Sequence, residues 1–516
     1  MKQYRILWAD DEIDLLRPHV LFLEKKGYEV ITLNNGDVAL EKCQNEHFDI
    51  VFLDENMPGK SGLDTLLEIK DISAELPVVM ITKSEEENIM EQAVGRKISD
   101  YLIKPVNPNQ ILLSIKKNIE EKQIVEDHTI QNYQSEFQKI AMQINFANNF
   151  DDFKDVYRKL VNWELRLAQS NKSLDELLLM QKNEANSTFC KYICRNYEEW
   201  FGKNKDNRPM MSHDIFKTKI FPLLDAGEKV FLIVIDNFRY DQWRVIREML
   251  TDFYKLDEEE LYCSILPTAT QYSRNAIFSG LMHLQIKEMY PQYWIEEEEE
   301  EGKNLYEKEL IQTQLDRFRK KYTFSYYKVN ESQYGKKLIE TIPNMLQNDF
   351  NTIVFNFVDM MSHARTESKI IRELAGNEAA YRSLTASWFL HSSTIDFFRT
   401  LAEKKVKVVI TTDHGTIHVD NAIKVIGDKN TNVNLRYKVG KMLNYNPKEV
   451  FEIKNPKKIG LPAPNLSSTY IFAQNSDFMA YPNNYNYYVS YYQNTFQHGG
   501  ISLEEMILPV VTLSPK

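Results

Sequence analysis

Three aspartates and three histidines stand where apolar stretches of this chain run out. In VVITTDHGTIH, Val408 to His418, a β-branched run reads as a buried strand and ends on Asp413 and His414. Neighbouring residues on a regular strand point to opposite faces, so aiming both at one point requires the strand to stop, and Gly415 permits that. The same form recurs. VFLIVID ends on Asp236, TIVFNFVDMMSH reaches Asp359 and then His363, and FQHGGIS places His498 before two glycines. Carboxylate and imidazole donors together suit Zn²⁺ or Mn²⁺. Six such donors are enough for two metals that each keep a position open for substrate.

A phosphoryl-transfer site also needs a nucleophile. LYCSILPTATQYSRNAIFSG contains P-T-A-T, whose second threonine, Thr270, precedes an expected helix over Ser273–Ser279. Helix N-termini favour anions, and a threonine hydroxyl held there beside zinc can act as an alkoxide near neutral pH.

A second group of carboxylates lies near the N-terminus. Residues 1–120 alternate short apolar strands with amphipathic stretches, which predicts a doubly wound parallel sheet of five βα units. The expected strands are 4–9, 28–33, 48–54, 76–82 and 99–104. The first ends in Asp10 and Asp11, the third in Asp54, the fourth in Thr82, and the fifth carries Tyr101 and ends in Lys104. Three carboxylates at one sheet edge repel one another unless a cation sits among them, and oxygen donors of this kind suit Mg²⁺. The lysine and threonine supply the charge and hydroxyl donor that a phosphoryl group needs.

Between these regions, residues 121–208 carry apolar positions at helical spacing with almost no Gly or Pro. Three long helices, broken near Asn148–Asp152 and Ser170–Ser173, are expected as an antiparallel bundle with no ligand cluster. Residues 209–516 form the α/β domain that holds the metal motifs. Within it, Glu296–Glu301 reads as a solvated acidic segment and Tyr481–Tyr492 as an insertion packed on the domain surface. Cys190 and Cys194 lack a second pair of ligands nearby and read as ordinary buried thiols.

Composition sets the outer bounds. The 516 residues suggest about three domains. A net charge of −11 argues against general affinity for nucleic-acid backbone or anionic lipid. No apolar run approaches the roughly 20 residues that span a bilayer, and four cysteines give no disulfide framework. A cytoplasmic protein is expected.

The first 120 residues resemble the receiver domains of two-component response regulators. The resemblance implies that Asp54 is the phosphoacceptor and that Asp10, Asp11 and the Asn56 carbonyl hold Mg²⁺ with it. It also implies Thr82 and Tyr101 as the switch pair, Lys104 as the phosphate contact, and a cognate sensor histidine kinase. The series D…T…D-x-x-x-H…D-H…H-G-G is similar to the alkaline phosphatase superfamily. Its P-T-A-T element is closest to the nucleotide pyrophosphatase/phosphodiesterase branch, and HGGISLEEMILPVV is similar to the PglZ type. Carried over, Asp359, His363 and His498 bind one zinc, while Asp236, Asp413 and His414 bind the other, with Thr270 the nucleophile. No sulfatase-type C-x-P-x-R is present. Receiver, helical linker and PglZ-type domain in this order resemble the PorX type of response regulator, which is associated with type 9 secretion. For that type a zinc phosphodiesterase output acting on oligonucleotides and cyclic nucleotides is implied. Phosphorylation of Asp54 is then expected to favour a receiver-mediated homodimer. The alternative is a regulatory interaction protein that binds a transcription or secretion partner, its metal domain structural or a phosphomonoesterase.

Overall fold

Two sheets, each with carboxylates at the carboxyl ends of its strands, organise the chain. The computed structural model describes residues 4–73, 75–83, 98–167, 174–202, 205–296, 299, 302–330, 332–367, 376–427, 431–463, 465 and 467–516. The Ser170–Ser173 break and four of the six glutamates in Glu296–Glu301 lie outside these residues; Glu296 pairs with Lys287. The chain divides into two units, Met1–Gln134 and Ser135–Lys516.

In the first unit, β1 (Arg5–Ala9), β2 (Glu29–Leu33), β3 (Ile50–Asp54), β4 (Val78–Thr82) and β5 (Asp100–Ile103) form a parallel sheet in the order β2-β1-β3-β4-β5. Side chains alternate across it. Ile6 and Trp8 enter one core with Val20, Leu23 and Ile111, whereas Leu7 and Ala9 enter the other with Leu40, Leu66 and Ile69. Burial on both faces explains why β3 and β4 read as unbroken apolar runs. The order reverses between β1 and β3, so Asp10 and Asp54 flank the switch point where such sheets bind ligands.

The linker helices are Glu121–Phe146, Phe150–Leu167 and Asp175–Asn196. The last two belong to the second unit and continue into its core. Asn186 donates to Glu504 at 3.0 Å and accepts from the Leu503 amide at 2.7 Å, and the buried Cys190 thiol donates to the Ile501 carbonyl at 3.3 Å. All four cysteines are free thiols. One difference from expectation is that linker residue Glu164 does join a carboxylate group, with Asp241 and Glu378. Arg239, Arg382 and Lys182 sit among these three acids, so ion pairing satisfies them without a metal.

The large domain is built on a six-stranded sheet ordered β7-β18-β10-β6-β9-β8. Its strands are β6 (Val230–Ile235), β7 (Tyr254–Cys263), β8 (Phe324–Val329), β9 (Phe350–Phe355), β10 (Lys407–Thr411) and β18 (Ile507–Pro515). Five of them run in one direction, and β18 alone runs antiparallel to its neighbours β10 and β7. The reason is local. The chain leaves His498 at the carboxyl edge of β10 and turns through the short helix Leu503–Met506, with no crossover helix to return it to the far edge. Between β10 and β18 lies an insertion of short strands, β11 (Ile417–Val419) to β17 (Thr495–Gln497). Its tyrosine-rich stretch is a helix, Tyr485–Tyr492, whose Tyr485, Val489 and Tyr492 pack on Ile417, Val419 and Phe478 while Tyr487 is exposed.

Candidate metal centre and receiver site

At the carboxyl edge of the large sheet β6 ends at Ile235 and Asp236 follows it. Asn237 then takes a left-handed conformation, φ 60°, which turns its backbone amide toward Asp413 Oδ1 at 3.4 Å. Thr412 accepts from the Phe238 amide at 3.0 Å and ties this turn to the end of β10. Gly415 is required by close approach, because a Cβ there would lie 2.0 Å from the Glu504 carbonyl oxygen. Asp359 and His363 are not at a strand end as expected. β9 stops at Phe355, and both lie on the helix Phe357–Glu367, four residues apart and therefore on one face. Asn237 Nδ2 donates to Asp359 Oδ1 at 3.2 Å and fixes that carboxylate.

Each buried imidazole is oriented by a carbonyl. His414 Nδ1 lies 3.1 Å from the Gly415 oxygen, and His498 Nδ1 lies 3.2 Å from the Thr268 oxygen. Both rings therefore carry their proton on Nδ1 and present Nε2 to the site. Thr268, the first threonine of P-T-A-T, also donates to the Gly500 carbonyl at 2.9 Å and accepts from the Gly499 amide at 3.1 Å. Glu505 accepts from the Gly500 amide at 2.9 Å and pairs with buried Arg436 at 2.6 Å, so the H-G-G loop is held from both sides.

Five of the six donors gather as two overlapping groups, Asp359–His363–His498 and Asp236–Asp359–His414. Asp359 stands in both. His363 Nε2 is 3.4 Å from Asp359 Oδ2, and His498 Nε2 is 3.8 Å from Oδ1. Asp413 falls in neither group. Its Oδ1 accepts from the His414 amide at 3.0 Å, and its Oδ2 lies 2.9 Å from Arg274 Nε and 4.0 Å from His414 Nε2. Thr270 opens the helix Thr270–Ser279 rather than preceding it. Its Oγ1 is 2.9 Å from His414 Nε2 and 3.4 Å from Asp236 Oδ1.

The electrostatics suit a cation. Burial, then the neighbouring Asp413 and Asp359, push the Asp236 carboxyl well above its usual range even against Arg274. Burial also raises Asp359, but the imidazoles of His363, His498 and His414 outweigh it and the net direction is down. Burial lowers the His498 imidazole to about 3, so it is neutral and its Nε2 lone pair is available. Three carboxylates and three imidazoles, two of them with Nε2 directed inward, fit zinc as a donor set.

In the first unit, Asp10, Asp11 and Asp54 form a group of their own. Lys104 Nζ is 2.9 Å from Asp10 and 3.1 Å from Asp54. Burial lifts the Asp54 carboxyl to about 6 against the pull of Lys104. Thr82 is fully buried and donates to Glu55, and Tyr101 on β5 is half-buried. The three oxygen donors fit Mg²⁺.

Sequence reasoning missed Arg274, Asn237 and the role of Thr268. Only Arg274 left a signal: it lies four residues after Thr270 on a helix and so must share its face.

This is a receiver fold followed by a phosphatase-type centre, the layout of a two-component regulator with a hydrolase-superfamily output. Family models match it in three parts: a response regulator receiver domain over residues 6–116, a PorX response regulator linker domain over 123–201, and a BREX system PglZ alkaline phosphatase-like domain over 215–513. The last covers more than half of the chain, which therefore belongs to the PglZ alkaline phosphatase-like family, in the PorX-type architecture. Curated relatives match the receiver. The transcriptional regulatory protein ResD of Bacillus subtilis is 32% identical over 112 residues, 22% of this chain and 46% of ResD. A CpxR homolog of Haemophilus influenzae is 37% identical over 114 residues, 22% of this chain and 48% of that protein. The match thus spans less than half the length of these relatives. Among solved structures, a CheY-like receiver domain protein from Methanospirillum hungatei is 28% identical, covering 23% of this chain and 96% of that one, with a TM-score of 0.23.

Proposed function

We propose that the protein is a response regulator whose output domain is a zinc-dependent phosphodiesterase acting on nucleotide or oligonucleotide diesters. The observation that carries this reading is the Thr270 hydroxyl, 2.9 Å from His414 Nε2 at a helix N-terminus inside the carboxylate–imidazole group. Asp359, His363 and His498 would hold one zinc and Asp236, Asp413 and His414 the other. Bound zinc would supply Lewis acidity and lower the pKa of the threonine hydroxyl. Thr270 Oγ1 attacks phosphorus, an Oγ1–P bond forms, and the ester P–O bond to the leaving alcohol breaks. Water then cleaves the Oγ1–P bond of this threonyl phosphodiester, releasing the phosphomonoester and restoring the threonine hydroxyl. His498 and Asp359 are held in register by Thr268 and Asn237, and the helix N-terminus favours the anionic phosphoryl group. A diester is preferred because P-T-A-T resembles the diesterase branch.

In the receiver, Asp54 would accept the phosphoryl group from a cognate sensor histidine kinase with Mg²⁺ held by Asp10, Asp11 and Asn56. Thr82, Tyr101 and Lys104 would answer it, favouring a homodimer. A cytoplasmic location and a link to type 9 secretion, through a secretion or transcription partner, rest on the PorX-type architecture. Among the described residues no helix is long and apolar enough to cross a membrane. The test is purified protein, with and without added Zn²⁺, assayed on a bis-aryl phosphodiester, an aryl monoester and short RNA. Zinc-stimulated diester cleavage is expected. A monoester turned over a hundred times faster than the diester overturns the diesterase reading, and no zinc effect overturns the zinc reading.

A further inference from the structure

Arg274 lies at the floor of the centre with no exposure to solvent. It rides on the helix that Thr270 begins, one turn further along, and its guanidinium reaches both aspartates assigned to the second zinc. It pairs with Asp236 Oδ2, and its Nε is 2.9 Å from Asp413 Oδ2. On its outer side Nη1 lies 3.4 Å from Glu307 Oε1 and 3.4 Å from Asn356 Oδ1. Glu307 is itself buried and pairs with Lys328 at 3.2 Å and with the Tyr326 hydroxyl. The guanidinium is therefore held by a fixed outer frame and directs its donors inward.

Two physical consequences follow. Buried carboxylates without a counter-charge strongly destabilise a fold, and removing one partner of a buried pair leaves that penalty in full. A planar guanidinium also constrains geometry. With Oδ2 of Asp236 taken by Arg274, its Oδ1 is the oxygen that faces His414 Nε2, at 3.5 Å, and Thr270. A lysine would supply charge at a point but not the fork.

We infer that Arg274 is a built-in counter-ion and positioning residue of the second metal subsite: it lets the domain fold without metal, holds the Asp413 carboxylate, and leaves Oδ1 of Asp236 as the oxygen that remains for a cation. This rests on reading the six donors as a zinc centre. A protein lacking Arg274 should depend on zinc for its stability, with the metal replacing the missing positive charge.

The experiment compares full-length wild type, Arg274→Gln, Arg274→Lys and Glu307→Gln. The thermal transition of the larger unit is followed by calorimetry in chelator and in Zn²⁺, and zinc content by elemental analysis after dialysis. Arg274→Gln is expected to melt about 10 °C below wild type in chelator and to recover most of that in zinc. Arg274→Lys should restore the metal-free transition yet hold the second zinc at least about tenfold more weakly, because the fork is gone. Glu307→Gln should resemble wild type in zinc content and lie between the two in metal-free stability. Equal destabilisation of Arg274→Gln with and without zinc makes the residue merely structural and overturns the inference, as does a metal-free transition like wild type. If Arg274→Gln does not fold, Arg274→Lys decides alone: second-site zinc binding equal to wild type overturns the positioning role. Wild type that retains no zinc refutes the zinc reading itself, and with it the inference, a result distinct from every variant outcome.

Discussion

The receiver and the output domain solve the same electrostatic problem with different cations. Both gather carboxylates beyond the carboxyl ends of parallel strands and both set a basic side chain among them. In the receiver the base is Lys104, on the end of a flexible stem and 11% exposed, between Asp10 and Asp54. In the output domain it is Arg274, fully buried and held from behind by Glu307. A lysine is a point charge that can follow a phosphoryl group as it comes and goes. A buried guanidinium with an outer carboxylate frame cannot move without breaking ion pairs. On the proposed function, the first arrangement suits a transient charge and the second a permanent one. Access differs less: Asp11 is exposed in one and His363, at 64%, in the other, so each group has one donor at its mouth.

The largest effect is expected at the permanent site. Thr270→Ala should lower diester hydrolysis at least about a thousandfold while zinc content stays at the wild-type value, because none of the six donors changes. Full turnover in that variant would remove the covalent route and leave the site a water-activating one. A smaller effect is expected from Thr268→Val, which keeps the shape of the side chain but loses its two hydrogen bonds to the H-G-G loop. Zinc affinity or turnover should fall about ten- to a hundredfold, as for other groups that orient metal-binding histidines. An unchanged value would show that Glu505 and Arg436 hold His498 without help. The smallest effect tests the transient site. Light scattering on wild type with beryllofluoride and Mg²⁺ should show a doubled mass, and Asp54→Ala should stay at the monomer mass under the same conditions. If both show one mass throughout, the receiver acts through a partner instead of through pairing.

Much of the receiver was legible because its chemistry is local. Apart from Tyr101, inside the fifth run, the expected functional residues sit at or just beyond the end of an apolar run, and five runs at regular spacing define one sheet. The observed strands start one or two residues inside the expected ones and end at or within a residue of them. The helix Phe357–Glu367 was harder. TIVFNFVDMM is mostly apolar, and the single polar residue Asn356 at the change from strand to helix was too weak a break to separate the two, so Asp359 read as a strand end.

By itself the sequence determined the candidate donors, the candidate threonine and their order along the chain, because strand ends and turn residues are encoded over a few neighbouring positions. Only the tertiary structure decided which donors meet. Asp359 joins both ligand groups, Asp413 is turned toward Arg274, and Thr268 steadies a histidine more than two hundred residues away. These relations depend on strand order and on helices docking across a sheet, and pairing between distant segments leaves no periodic trace in the residues that take part.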